Sequence, residues 1–475
     1  MSEERRAHRA VAGEGSGARA RLRGRRAWLQ LGLKGVAGAG LATAMAGCAT
    51  GGAREGATTG TSGARPVTLR LQDWPGDFMD MVTGVAIPAF RAQQPHVTVE
   101  YTPYQGDWVP KTLAEMVGGT APDVLHVFGS TTREFADRKQ LLDLTPLVRR
   151  DVKPAEIADF HKAQWDAMVL PGSEVRYAIP KHLWMGFLIY DREAFEEAGV
   201  RLPDKQWGRE AYETALTRLT RRAGGQAERW GGAIPATSYD RVYTHVLGDG
   251  GHMVDARDKS KPRFAEPAAL GAFEWLRSRM WDQNVLIQRG QYGSEDNYTL
   301  LAQGRVAMIE EGTSFFYWLA EQMKRRWDIM HLPADSKQRV AHLSSNAYAV
   351  YAGVEQRGSK DASWALMRFL ASPEYQRMML QAKTRAIVPA RKSVLPEYVK
   401  TMRQLDPRLN DVRLELVQEA IEMGYHHAVE PESFQNQPAA LEVLQPDLNQ
   451  IFQQGAPVSI LQQTARMVEQ TQPRS

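Results

Sequence analysis

Apolar and polar positions first fall into a regular alternation at Val67-Thr68-Leu69-Arg70-Leu71, the period of two that a half-buried strand requires. The alternation stops at Gln72-Asp73-Trp74-Pro75-Gly76-Asp77, where Pro and Gly mark a turn. Apolar positions then follow a helical spacing through Ile87 and Phe90 to Gln93, and His96 to Tyr101 ("HVTVEY") predicts a second strand. Lys111 to Gly118 is expected to be helical, and Ala121 to Phe128 ("APDVLHVF") to be a third strand, entered through a proline. Strand and helix alternating at such short intervals argue for βαβ units and a mainly parallel sheet.

Farther on, Tyr177 to Pro180 and Gly186 to Tyr190 form another strand region. Asp191 is placed to cap a helix from Arg192 to Ala198, and Gly199 to end it. Leu270, Phe273, Leu276 and Met280 share one helical face, as do Trp364, Met367 and Leu370. Ser372-Pro373 reads as an N-cap followed by a first-turn proline. After Val306 to Ile309, a strand, "EEGTSFFYW" (Glu310 to Trp318) is expected to open a helix, and from Pro396 onward the chain reads as nearly all helix and turn.

The first 47 residues break this pattern. An arginine-rich stretch ending in Arg25-Arg26 precedes Ala27-Trp28-Leu29 and a weakly apolar run rich in Gly and Ala, the layout of an export signal. It resembles a twin-arginine signal, whose pair is followed by an aromatic residue and a leucine. The run is too short of bulk and carries Lys34, so it does not read as a membrane span of about 20 apolar residues. Met45-Ala46-Gly47-Cys48 resembles a bacterial lipobox, which makes Cys48, the only cysteine, the expected lipid attachment site. A diacylglyceryl group supplies the two chains that stable anchoring needs. Residues 48–65, Gly, Thr, Ser and Ala with almost no apolar bulk, are expected to be a flexible tether.

Charge changes the picture once the signal is set aside. The whole chain has 59 Lys+Arg against 55 Asp+Glu, but residues 1–47 hold nine and three of these, leaving 50 against 52. The basicity belongs to the signal, and the footprint of a nucleic-acid binder is missing from the rest. With 12 Trp, 15 Tyr and 14 Phe the body is globular and aromatic-rich, and its length suggests two or three domains.

Several segments, in order, resemble the extracellular solute-binding proteins that serve sugar-type ABC importers. They are "KTLAEMVGGTAPDVLHV", "REFADRKQLLDLTPLV", "RYAIPKHLWMGFLIYDREAFEEAGVRLP", "QWGREAYETALTRLT", "LGDGG", "LLAQGRVAMIEEG", "ASWALMRFLASPEYQ" and "KTRAIVPAR". The resemblance implies an α/β, two-lobed periplasmic binding protein type II fold with an interlobe cleft and a helical C-terminal region. It divides the chain into lobe 1 (66–181 and 334–385) and lobe 2 (182–333 and 386–475). It implies a monomer that captures a small solute, a mono- or oligosaccharide above all, delivers it to membrane permease subunits, and uses no cofactor or metal.

A sugar site needs aromatic platforms for C–H faces and planar polar groups for hydroxyls, since a buried unpaired hydroxyl costs about 1–3 kcal/mol. On the family pattern the candidates in lobe 1 are Trp74 and Asp77 in the first turn, and Phe128 at the end of the third strand. At the crossover they are Lys181 and Trp184, with Trp184 the first choice as platform. Lobe 2 offers Tyr239 and Asp240, then Gly312 and Thr313, and the return segments offer Ser345, Asn346 and Arg385. One of Phe315, Phe316 and Trp318 is expected to face the cleft. Lys181, Arg241 and Arg385 leave a phosphorylated polyol or another anion open as the ligand. A secreted hydrolase is the rival reading, but neither a Gly-x-Ser-x-Gly elbow nor a His-Glu-x-x-His helix is present.

Overall fold

The computed structural model describes residues 65–473 apart from 107, 171–172, 237–238, 292, 294, 383–386, 423–425 and 429–432. The signal pair Arg25-Arg26, the lipobox cysteine Cys48, the tether and Arg385 lie outside the described residues.

The strands are β1 (Val67–Asp73), β2 (Val97–Pro103), β3 (Val124–Phe128), β4 (Ala178–Asp191), β5 (Arg221–Ala223), β6 (Gln226–Arg229), β7 (Met308–Gly312), β8 (Trp327–Met330), β9 (Val340–Val350), β10 (Val388–Pro389) and β11 (His426–Ala428). All but the β5–β6 hairpin join one sheet, whose main path runs β10-β4-β9-β3-β1-β2. β1 pairs in parallel with β2 and β3, as the βαβ pattern predicts. The sheet as a whole is mixed rather than mainly parallel, because β9 runs antiparallel to both β3 and β4.

β4 is the strand that makes two lobes one molecule. Its first half pairs with β9, and from Gly186 onward it pairs with β7 and β8 instead. Fourteen residues of strand reach roughly 45 Å. Thirteen of the fourteen are buried, and only Trp184 is partly exposed. Apolar side chains gather accordingly. One core takes residues from Leu183 to Leu343 and from Leu380 to Val468, and two others take Leu69 to Ile179 with Tyr348 to Ala390 and the interior around Tyr104, Trp108 and Phe135.

The local signals in the sequence have physical counterparts. Asp191 Oδ1 accepts from the Ala194 amide at 3.0 Å, and Gly199 ends that helix at φ 59°. The Ser372 hydroxyl accepts from the Tyr375 amide at 3.1 Å, ahead of the helix Pro373–Leu380. Two expectations are corrected. Glu310 and Glu311 belong to β7, not to a helix, and the C-terminal third includes β11, which pairs in parallel with β9. None of the described helices is long and apolar enough to cross a membrane.

The lobe 1 end of this sheet is tied by a buried ion pair. The register of β4 on β9 skips Lys181, pairing Pro180 with Ala347 and His182 with Asn346. The bulge turns Lys181 inward, where Nζ meets both carboxylate oxygens of Asp73 at 2.6 and 2.7 Å with no exposed surface on either side chain. Tyr348 from β9 donates to Asp73 Oδ2 at 2.5 Å, and the Trp74 amide donates to Oδ1 at 2.8 Å. Breaking one side of such a pair strands a buried charge, at about 3–5 kcal/mol. Lys181→Met should therefore lower the urea midpoint sharply, while Asp73→Leu/Lys181→Met should recover part of the loss. Equal losses in the single and double variants would show that the charges are not coupled.

Candidate functional site

The C-terminal ends of parallel strands are where open α/β sheets bind ligands, and here each ends on an aromatic ring. Trp74 follows β1, Tyr104 follows β2, and Phe128 closes β3. The rings meet: Trp74 lies 5.4 Å from Tyr104 and 6.0 Å from Phe128, while Tyr104 packs at a tilt against Trp108 at 4.3 Å. The Trp74–Pro75–Gly76 turn that presents the indole needs Gly76, which sits at φ 75°. Tyr101 fixes the turn from the side by donating its hydroxyl to the Trp74 carbonyl. Phe128 is fixed too, its amide donating to Thr131 Oγ1 at 2.9 Å and its carbonyl accepting from Thr132 at 2.8 Å.

Beneath these rings His126 is fully buried, with Nε2 against Asn346 Oδ1 at 2.8 Å and its ring stacked parallel to His182. Burial above all, and then the charge of Lys181, push its pKa well below the usual histidine value against the pull of Asn346. His126 is thus neutral at physiological pH.

A second group of side chains is built around Trp184. The guanidinium of Arg241 lies over its ring at 4.0 Å, and His342 stands 5.1 Å from it. Arg241 is held by Glu311 at 3.2 Å, and Glu311 in turn accepts from Asn297 at 3.3 Å. Gly312 is a packing requirement: a Cβ there would come within 1.9 Å of the Trp184 indole. Tyr298 clasps that glycine with its hydroxyl, 3.1 Å from both the amide and the carbonyl of Gly312.

Behind this group His245 sits between Glu310 (3.0 Å) and Asp335 (3.4 Å) and stacks on Trp275. Burial lowers its pKa, but Glu310 and then Asp335 more than reverse this, and the value is raised to about 10. Arg209 closes the network on Asp249 at 2.9 Å and Asp335 at 2.7 Å.

Set against the expected site, the structure gathers Trp74, Phe128 and Asn346 on one side and Trp184 and Gly312 on the other. Asp77 opens the helix Asp77–Met81, Asp240 lies in the helix Tyr239–Gly248, and Ser345 pairs with Leu183, all placed by backbone alone. Thr313 and Tyr239 are buried. Lys181 is corrected: its ammonium is consumed by Asp73 inside the protein. Of the three aromatics after Gly312, Phe316 is core, Phe315 and Trp318 pack against the same core, and Phe315 lies tilted 4.6 Å from Tyr298. Tyr104, Trp108, His126 and Glu311 were missed. The rule of strand ends that selected Trp74 and Phe128 selects Tyr104 as well.

A sequence model of the family described as bacterial extracellular solute-binding protein matches residues 86–404. The chain belongs to that family. This solute-binding protein is 27% identical over 349 residues to an uncharacterized lipoprotein in the oleD 5' region of Streptomyces antibioticus, covering 69% of this chain and 70% of the relative. Its fold matches the ABC substrate-binding protein Lmo0181 from Listeria monocytogenes in complex with cycloalternan, with a TM-score of 0.71, 19% identity, and 86% and 99% of the two chains covered. It also matches UgpB from Mycobacterium tuberculosis in complex with glycerophosphocholine, with a TM-score of 0.67, 17% identity, and 86% and 97% covered. At these identities the structural likeness establishes the two-lobed fold. The family is extracellular, so this solute-binding protein is exported.

The charged His245 gives the lobe a pH dependence with a definite sign. A pKa raised from about 6.5 in the unfolded chain to about 10 stabilises the fold fully below the lower value and is lost as pH rises through the upper one. The gap in urea midpoint between the native protein and His245→Gln should be widest near pH 6 and narrow toward pH 10. A gap constant across that range would mean that His245 is not charged in the fold.

Proposed function

We propose that the protein captures a neutral mono- or oligosaccharide between its two lobes and delivers it to the permease subunits of an ABC importer. It binds the solute without transforming it. Lobe 1 is built from 66–181 and 334–385, lobe 2 from 182–333 and 386–475, and the diacylated Cys48 holds the monomer to the membrane by the 48–65 tether. The anchor agrees with the lipoprotein from Streptomyces antibioticus, and export by the twin-arginine route with the Arg25-Arg26 signal.

The observation that carries the reading is the single opening in β4. Along a strand otherwise buried, Trp184 alone is partly exposed, close to the point where the strand changes partner from β9 to β7 and β8. An indole there gives a flat surface for a sugar ring, and Trp74 and Phe128 form a second aromatic group at the ends of β1 and β3. The charges around it are matched one to one, Lys181 with Asp73 and Arg241 with Glu311. That balance favours an uncharged ligand over the phosphorylated polyol or other anion also considered. Structures similar in fold were solved with cycloalternan, with acarbose and with mannotriose, which is consistent with a carbohydrate; UgpB, with glycerophosphocholine, marks the alternative.

The test is thermal. The full chain in detergent, stripped of carried ligand by unfolding and refolding, is melted with mono- and oligosaccharides, glycerol phosphates and peptides. A ligand at 100 times its Kd adds about 2.7 kcal/mol, a rise of a few degrees for a protein of this size. The expected result is a rise with one group of related sugars, lost in Trp184→Ala and weakened in Trp74→Ala. A rise with an anion or a peptide alone would overturn the ligand class.

A further inference from the structure

The carbohydrate reading turns on Trp184, and the structure fills both faces of its indole. On one side lies the backbone of Gly312. A Cβ built there would find Cε2, Cζ2 and Nε1 of Trp184 nearest, at 1.9, 2.1 and 2.3 Å. An approach in the plane of the ring would meet Nε1 and Cζ2, which form the rim, before it met Cε2. Gly312 therefore lies over the face. The guanidinium of Arg241 also lies over the ring, its Cζ 4.0 Å from the centroid. Cε2 belongs to both rings of the indole, so a guanidinium centred on the same side would overlap the glycine. The two groups take opposite faces, and what Trp184 exposes is its edge. These covers differ in kind. Gly312 is fixed: it pairs with Gly186 between β7 and β4, and the Tyr298 hydroxyl lies 3.1 Å from both its amide and its carbonyl. Arg241 is a side chain on the helix Tyr239–Gly248, joined to Glu311 at 3.2 Å. Such a side chain can leave the ring by changing rotamer, which a strand backbone cannot do.

We propose that Arg241 is a stand-in for the ligand: its guanidinium occupies the Trp184 face until the bound sugar displaces it, and this competition sets affinity and selectivity. The inference rests on the carbohydrate reading above. A site that is open for only part of the time binds with an apparent affinity reduced by that fraction. Arg241 thus lowers affinity, whereas a residue that merely contacts the ligand raises it. The competition also selects. A solute has to cover the indole face at least as favourably as the cation does, so the C–H face of a sugar ring is admitted. A small polar solute that cannot stack leaves Arg241 in place.

Calorimetric titration of the full chain in detergent with glucose, mannose, maltotriose and mannotriose decides the matter. It uses the native protein, Arg241→Ala, Arg241→Ala/Glu311→Gln and Trp184→Ala. The double variant is needed because Arg241→Ala alone strands a largely buried carboxylate, which costs stability and could itself accept from a sugar hydroxyl. For the sugar that binds the native protein, both Arg241 variants should bind about three- to thirtyfold more tightly, the equivalent of one cation–π contact. Trp184→Ala should lose binding. Where the two Arg241 variants differ, or the single one does not fold, the double variant decides. If it binds no more tightly than the native protein while Trp184→Ala does not bind, Arg241 is a bystander or a contact; this inference falls and the carbohydrate reading stands. If Trp184→Ala binds a sugar as well as the native protein does, the platform falls and this inference with it. If no sugar binds either the native protein or the double variant, this inference and the carbohydrate reading fall together.

Discussion

The pairing of Asp73 with Lys181 is the constraint on which the rest of the molecule turns. Neither side chain touches water, and the carboxylate is saturated by the ammonium, the Tyr348 hydroxyl and the Trp74 amide. Burial of two charges rarely repays its desolvation cost in stability alone. What it does here is fix geometry: the end of β1, the bulge in β4 and the C-terminal part of β9 are bound to a single carboxylate. Trp74 is the next residue along, so its position inherits the rigidity of the pair. The ammonium also acts at a distance, adding to the burial that lowers the pKa of His126 below the aromatic rings.

The second group repeats the arrangement at a largely buried position, with Arg241 on Glu311 and over the Trp184 ring. The space between is therefore polar but electrically balanced. Discrimination in such a place comes from shape and from single hydrogen bonds, not from long-range attraction. The His245 network lies behind this group and holds Glu310, Asp335 and Arg209 in register.

Much of this was legible because it was local. Strand ends, the Asp191 and Ser372 caps and the Gly76 turn are written in runs of five or six residues. The aromatic positions after β1 and β3 follow from the general placement of ligands at strand termini, and Tyr104 escaped only because that logic was not carried to β2. The inward turn of Lys181 was not legible. It depends on a register skip against β9, more than 160 residues away in the chain, and no local pattern encodes it. The same distance hid the antiparallel pairing of β4 and β9. Glu310 and Glu311 read as the start of a helix because the Gly, Thr and Ser beside them resemble a cap; pairing with β4 keeps them extended.

β4 pairs with β9 along its first half and with β7 and β8 from Gly186 onward, and it does so as one continuous strand. A molecule joined in this way has no free swivel. Any rotation of one lobe on the other must be taken up as added twist in continuous strands, as in a leaf spring. The stiffness of that spring is set by backbone bonds that no side-chain substitution removes, so a relative could exchange its ligand contacts while keeping the same resistance to closing and the same tendency to reopen.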